Sequence, residues 1–321
     1  MRLALSYRVW LPIASIVVLL CVGEAICRIF GLAGEVGADF RFYVRHVDGD
    51  VEETYNREDA RLMWSPNPGY DDGVIRINSR GFRGAEVQDP KPPGGVRIAL
   101  LGDSTTFGID VAEASTFARL VGERWPSPAE SVNAGVTGYT ATQVLHRYRE
   151  SVRPLRPDWV VCSMGVNDPL ARFWLSDAEI LEDNVPSAIK DFQNSVLLRL
   201  HFYRVIRRGV LAAFGRSAEP GPPVPRVSEE RFVADLRALT QEVEADGARL
   251  ILVAPPVNPT AARGWPRYPA VRRYRDLLEQ VARESGALYV FEPELSELGK
   301  DPTLFLDVVH PSPAGHSILA D

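Results

Sequence analysis

Cysteine is scarce. Cys21, Cys27 and Cys162 are the whole complement of 321 residues, too few and too scattered for a disulfide framework. An oxidising compartment is therefore permitted but not signalled. Basic charge is also short: 36 Lys and Arg stand against 42 Asp and Glu, a net charge of −6. That balance excludes nucleic acid as the main partner, because phosphate binding needs a basic face. Histidine occurs five times, and His46, His146, His201 and His316 show no metal-ligand spacing. No Gly-x-Gly-x-x-Gly follows a strand pattern, and "GDSTTFG" lacks the lysine of a phosphate loop. No metal or organic cofactor is expected from these residues. Internal repeats are absent too.

Long apolar runs occur at one place only. "VWLPIASIVVLLCVG" (Val9 to Gly23), extended by "EAICRIFGL", is uncharged until Glu24. A helix needs about 20 residues to cross a bilayer, so a span reaches Ile26 and carries Glu24 near its end. Glu24 and Arg28, four apart, can pair on one helix face. Arg2 and Arg8 precede the run. The positive-inside rule then puts the N-terminus in the cytoplasm and the remainder outside, as a single-pass protein of the cell (inner) membrane. A cleaved signal peptide, with secretion, is the alternative, although Glu24 and Arg28 intrude before any small-residue cleavage site. A buried helix is the third reading. Leucines precede Cys21, which speaks against lipid attachment there.

Residues 1–30 are thus expected to form a membrane anchor and residues 31–95 an irregular extension, rich in turn signals such as "SPNPGYDDG" and closed by "DPKPPGG". A regular alternation begins at residue 96. "VRIALLG", "ESVNAG", "PDWVVCSMG", "ARLILVAPP" and "GALYVFEP" are short Val/Ile/Leu-rich strands separated by helix-period segments. Such strands form a parallel sheet covered on both faces, so the fold class is α/β: a three-layer α/β/α sandwich of about five parallel strands. Residues 96–321 make up this domain, with an insertion at about 170–231 that far exceeds the usual 2–6-residue connection. Within it Leu198, Phe202 and Val205 follow helical spacing on one face. The insertion reads as a lid over the site, a helix packed on the flank, or a basic helix lying on a membrane surface.

In open parallel sheets the ligand crevice lies at the carboxyl ends of the strands. Here those ends carry "GDST", "NAGVTGYT", "GVNDP" and "PPVNP", more polar groups than helix caps require. Asp103, Ser104 and Thr105 all suit an N-cap, and a serine at the same place suits a nucleophile. Near the C-terminus, "FLDVVHPSPAGH" sets Asp307 and His310 three apart, within one tight loop or turn. A carboxylate beside an imidazole fixes its tautomer and leaves the other nitrogen to take a hydroxyl proton. The plain alternative makes Asp307 the cap of a final helix and His310 a surface residue. His316 is expected on the surface of that helix.

Together the four blocks resemble the SGNH hydrolases, also called GDSL esterases and lipases, over residues 96–321. "GDST" carries the serine, with Thr105 where the family name has leucine. "NAGVTGYT" is similar to the glycine block, "GVNDP" to the asparagine block and "DVVHP" to the Asp-x-x-His block. The resemblance implies a flavodoxin-like fold, with Ser104 as nucleophile, His310 as general base and Asp307 as its orienting acid. It also implies an oxyanion hole made by the amide of Ser104, a glycine amide and the Asn167 side chain. The glycine is Gly138, with Gly135 as the other candidate. Asp103 supports the turn. The implied function is serine ester hydrolysis on an O-acyl ester of an extracytoplasmic carbohydrate or lipid. The partners are then a small-molecule or glycan ester and the membrane. Alternatives are an O-acyltransferase to an envelope glycan and a catalytically silent carbohydrate-binding relative. The order Ser…Asp…His favours the hydrolase.

Overall fold

Where a strand is covered on both faces it is apolar at every position, and "VRIALLG" has that character: Ile98, Ala99 and Leu100 are wholly buried. The computed structural model describes residues 2–30, 32, 55–91, 93–173, 176–182, 186–215, 224–290, 298 and 300–321. It forms two compact units: residues 53–57, 62–183 and 222–321 make the larger, and residues 1–52, 58–61 and 184–221 the smaller.

In the larger unit five strands pair in parallel: β1 (Val96–Gly102), β2 (Ala129–Asn133), β3 (Trp159–Ser163), β6 (Arg249–Val253) and β7 (Leu288–Val290). Their order across the sheet is β2-β1-β3-β6-β7, the flavodoxin-like order, whose reversal between β1 and β3 opens a crevice at their carboxyl ends. The expected five-strand α/β sandwich is therefore present. The fifth strand is shorter than "GALYVFEP" suggests, and residues 291–293 lie outside the described set.

Helices α2 (Ser104–Phe107), α3 (Phe117–Arg124), α4 (Ala141–Arg147), α5 (Asp177–Leu181), α8 (Glu229–Ala245), α9 (Pro259–Ala262), α10 (Tyr268–Ser285) and α11 (Pro313–Ala320) complete this unit. Thr116, Ser228 and Ser312 cap α3, α8 and α11 by accepting N–H groups of the first turn. The extension before β1 is part of the same unit from residue 62, and Leu62, Trp64, Ile77 and Phe82 are buried. After β3 the chain leaves through β4 (Ala171–Phe173) and returns through β5 (Val224–Pro225), which pair antiparallel as Ala171 with Pro225 and Phe173 with Val224. These two strands form a stem for the insertion.

The smaller unit contains α1 (Arg2–Ile29), α6 (Ser187–Ser195) and α7 (His201–Gly215). Trp10–Ile29 is long and apolar enough to cross a membrane, with mean hydropathy 2.2 and 6% burial. The expected helical face through Leu198, Phe202 and Val205 is interrupted. Leu198 lies in a 3-10 turn, Leu200 is extended, and α7 begins only at His201.

The plain alternative for Asp307 does not hold, and one further expectation is corrected. Asp307 caps no helix, since Ser312 caps α11. His316 is not on the surface: it is 1% exposed, stacks on Phe117 and accepts the Phe117 N–H through Nδ1 at 3.2 Å. Burial, helped by the charges of Arg83 and His310, lowers His316 to about 4. It therefore serves as a neutral acceptor at the start of α3.

Candidate active site

The turn leaving β1 divides its labour. Asp103, 1% exposed, supplies the cap of α2, its Oδ1 accepting the Thr105 N–H at 2.9 Å. Ser104 is left as the first residue of α2 with its hydroxyl available. Burial pushes the Asp103 carboxyl up to about 6, against the Thr105 N–H and the nearby His310, which favour its charge. At the other end of α2, Arg83 donates to the carbonyls of Phe107 (2.7 Å), Gly108 (2.5 Å) and Val111 (2.5 Å). Phe107 and Gly108 end α2, where a one-turn helix leaves carbonyls open.

Asp307 and His310 share a tight loop. One Asp307 oxygen accepts the N–H groups of Val309 and His310, each at 2.8 Å. Its other oxygen meets His310 Nδ1 at 2.6 Å, and His310 Nε2 meets Ser104 Oγ at 2.7 Å. The acid that orients the ring is thus held by the loop's own backbone. Thr105 Oγ1 ties the loop to α2 through the Val309 carbonyl at 3.3 Å. On the far side, the Asn258 N–H donates to the Val308 carbonyl at 2.8 Å. The "PPVNP" strand end therefore braces the loop.

The charges suit a base. Burial pulls His310 down, but the hydrogen bond and charge of Asp307, with the charges of Asp103 and Asp110, outweigh it and leave it above its ordinary 6.5. Burial raises Asp307, yet the His310 ring and two backbone N–H groups win, and the carboxyl falls to about 2. Asp307 is consequently ionised wherever the ring titrates. With Asp307 ionised, Nδ1 is the donating nitrogen, and a neutral ring then offers Nε2 as an acceptor to the Ser104 hydroxyl.

Beside this chain lie the glycine and asparagine blocks. Gly135 donates its N–H to Asn133 Oδ1 at 3.1 Å, and a Cβ there would stand 2.5 Å from the Phe107 nitrogen. It is small so that α2 can pack. Gly138 has φ +77°, the left-handed region that suits glycine. Its carbonyl accepts from Arg226 Nη1 at 2.7 Å, and among the described residues no hydrogen bond uses its N–H. Asn167 Nδ2 donates to the Tyr139 carbonyl at 3.1 Å and makes only a long 3.4 Å contact with Asp103. One amide hydrogen is therefore held and the other is weakly committed.

Arg226 escaped the sequence reading. It is 1% exposed, donates to both oxygens of Asp177 (3.1 and 2.7 Å) and to Gln143 Oε1 (2.7 Å), and so fixes the Gly138 peptide. Gln143 in turn donates to the Leu62 carbonyl. Arg83 was missed as well. No local pattern marks either residue; both are arginines in otherwise unremarkable segments.

The sequence profile of the GDSL-like lipase/acylhydrolase family matches residues 100–318. The curated thioesterase 1/protease 1/lysophospholipase L1 of Escherichia coli (strain K12) is 32% identical over 76 residues, covering 24% of this chain and 36% of that protein. Among solved structures, an acetylxylan esterase from Geobacillus stearothermophilus is 22% identical with TM-score 0.45, covering 70% of this chain and 90% of the other. A G-D-S-L family lipolytic protein from Desulfitobacterium hafniense DCB-2 is 16% identical with TM-score 0.46, covering 70% and 95%.

Proposed function

Given that the chain belongs to the GDSL-like lipase/acylhydrolase family, we propose that it is a carboxylic ester hydrolase working through an acyl-enzyme on Ser104. The substrate is an O-acyl ester of an extracytoplasmic carbohydrate or lipid. The observation that carries this reading is the continuous chain Ser104 Oγ, His310, Asp307, with links of 2.7 and 2.6 Å at the mouth of the sheet.

His310 Nε2 takes the Ser104 proton as Oγ attacks the acyl carbon, and Asp307 stabilises the imidazolium that forms. The carbonyl oxygen, now negative, is met by the N–H groups of Ser104 and Gly138 and by the Asn167 amide. One well-aimed donor of this kind is worth about 3–4 kcal/mol in the transition state. Collapse of the intermediate returns the proton from His310 to the departing alkoxide and leaves the acyl group on Oγ. Water, deprotonated by the same nitrogen, then releases the acid. No step draws on a group other than these side chains, two backbone amides and water.

The apolar helix α1 anchors the protein in the membrane, with the Ser104 site on the extracytoplasmic side. The length and hydropathy of its Trp10–Ile29 span and the arginines before that span support this placement. A lipid ester fits both that position and the lysophospholipase activity in the printed name of the partial E. coli relative. The test is turnover of a panel of chromogenic esters of differing acyl length, on the wild type and Ser104→Ala. The variant should lose turnover by orders of magnitude on every ester and keep its thermal unfolding transition. Turnover within a few-fold of wild type in the variant would end the serine mechanism.

A further inference from the structure

A glutamate near the end of an apolar span needs a reason, and the smaller unit supplies one. Glu24 accepts the N–H groups of His201 (3.2 Å) and Phe202 (2.9 Å) while pairing with Arg28 at 2.8 Å. Those N–H groups open α7 and have no partner within their own helix. Phe202 packs over Gly23, where a Cβ would stand 2.8 Å from the ring. The insertion is therefore fastened to the C-terminal end of α1, the end that a span entering from the cytoplasm brings to the outer leaflet.

What the insertion presents at that level is apolar, and its sequence is basic. Ile189, Phe192, Val196, Leu200, Ile206 and Val210 are all at least 37% exposed. They lie on α6, α7 and the short connection between them. The apolar surface continues onto α1 through a cleft of about 540 Å³ lined by Leu20, Ala25, Leu197, Phe202, Tyr203 and Ile206. Between Pro186 and Gly215 there are five basic residues (Lys190, Arg199, Arg204, Arg207 and Arg208) and a single acidic one. That one, Asp191, is paired with Arg61 at 2.5 Å. A segment this basic in a chain of net charge −6, with apolar side chains left open beside a bilayer-length helix, suits an anionic lipid surface.

We propose that residues 186–215 are a bilayer-facing platform, seated at the headgroup–acyl boundary of an anionic membrane and joined to α1 through Glu24 and Phe202. The proposal rests on the membrane anchorage stated above, and its test separates the two. The full chain is reconstituted in nanodiscs of equal parts phosphatidylcholine and phosphatidylglycerol. A photoactivatable benzophenone residue replaces Leu19, Phe192 or Ile206. After illumination, intact-mass analysis should find lipid adducts at Leu19, Phe192 and Ile206. With phosphatidylcholine alone, the yields at Phe192 and Ile206 should fall several-fold while that at Leu19 holds. Lipid capture at Leu19 without capture at Phe192 and Ile206 would overturn the platform and leave the anchor standing, as would cross-links from these two positions to a second copy of the chain. No lipid at Leu19 would overturn the anchorage and the platform with it. Yields insensitive to phosphatidylglycerol would overturn the anionic preference.

Discussion

At Asn167 one amide hydrogen is tied to the Tyr139 carbonyl and the other reaches Asp103 at only 3.4 Å. Such a group gains most when a negative oxygen forms nearby. Asn167→Ala should therefore lower kcat about 10²–10³-fold with little change in KM. Steady-state kinetics on a short activated ester checks this, and a change confined to KM would remove Asn167 from the oxyanion hole. His310 gives a second expectation. In the proposed mechanism its neutral ring is the base, so kcat/KM should be lost as pH falls through the ring's pKa. The influences of Asp307, Asp103 and Asp110 place that midpoint above 6.5. In Asp307→Asn the largest raising influence is gone and burial is less opposed, so the midpoint should move down while the plateau rate collapses through loss of the correct tautomer. A pH–rate profile that is flat, or a midpoint unmoved by the substitution, would exclude this linkage. The juxtaposition of Ser104, Asp307 and His310 was legible because each lies in a short block with fixed internal spacing. His316 was misread because its burial depends on α3, whose Phe117 lies 199 residues away.

Among the elements, the strands were the clearest in the sequence. Burial on both faces demands apolar residues at consecutive positions, and β1 occupies the full run from Val96 to Gly102 as expected. Helices α8 and α10 were equally plain from their periodicity. The break at Leu200 was not, because Glu24 supplies the α7 terminus from 177 residues away. The same distance problem hides the support beneath Gly138. Arg226 follows β5 at the end of the insertion and reaches Gly138 across 88 residues. Its side chain and that of Asp177 are 1% and 0% exposed, so removing one partner strands a buried charge. Arg226→Met should cost about 3–5 kcal/mol of stability, read from denaturant or thermal unfolding. A loss below about 1 kcal/mol would mean that the pair is no structural support.

For the whole molecule, the two compact units divide the sequence in a way that the chain order conceals. Residues 184–221 group with the N-terminal helix, whereas β4 and β5, which lead into and out of that stretch, belong with the sheet. The extension from residue 62 likewise joins the larger unit, where Arg83 and Trp64 pack against the elements that carry the site. Its one short strand, Met63–Pro66, and its turns gave no run long enough for pattern reading. All the proposed chemistry therefore resides in one unit, and the claim on which everything else depends is that Ser104 carries the acyl group. Treating the full chain with a fluorophosphonate and mapping the modified peptide by mass spectrometry tests it most directly. The adduct should form once per chain, on the Ser104 hydroxyl, with ester turnover falling in proportion to labelling. Undiminished turnover after complete labelling, or turnover from a chain that never labels at Ser104, would contradict it.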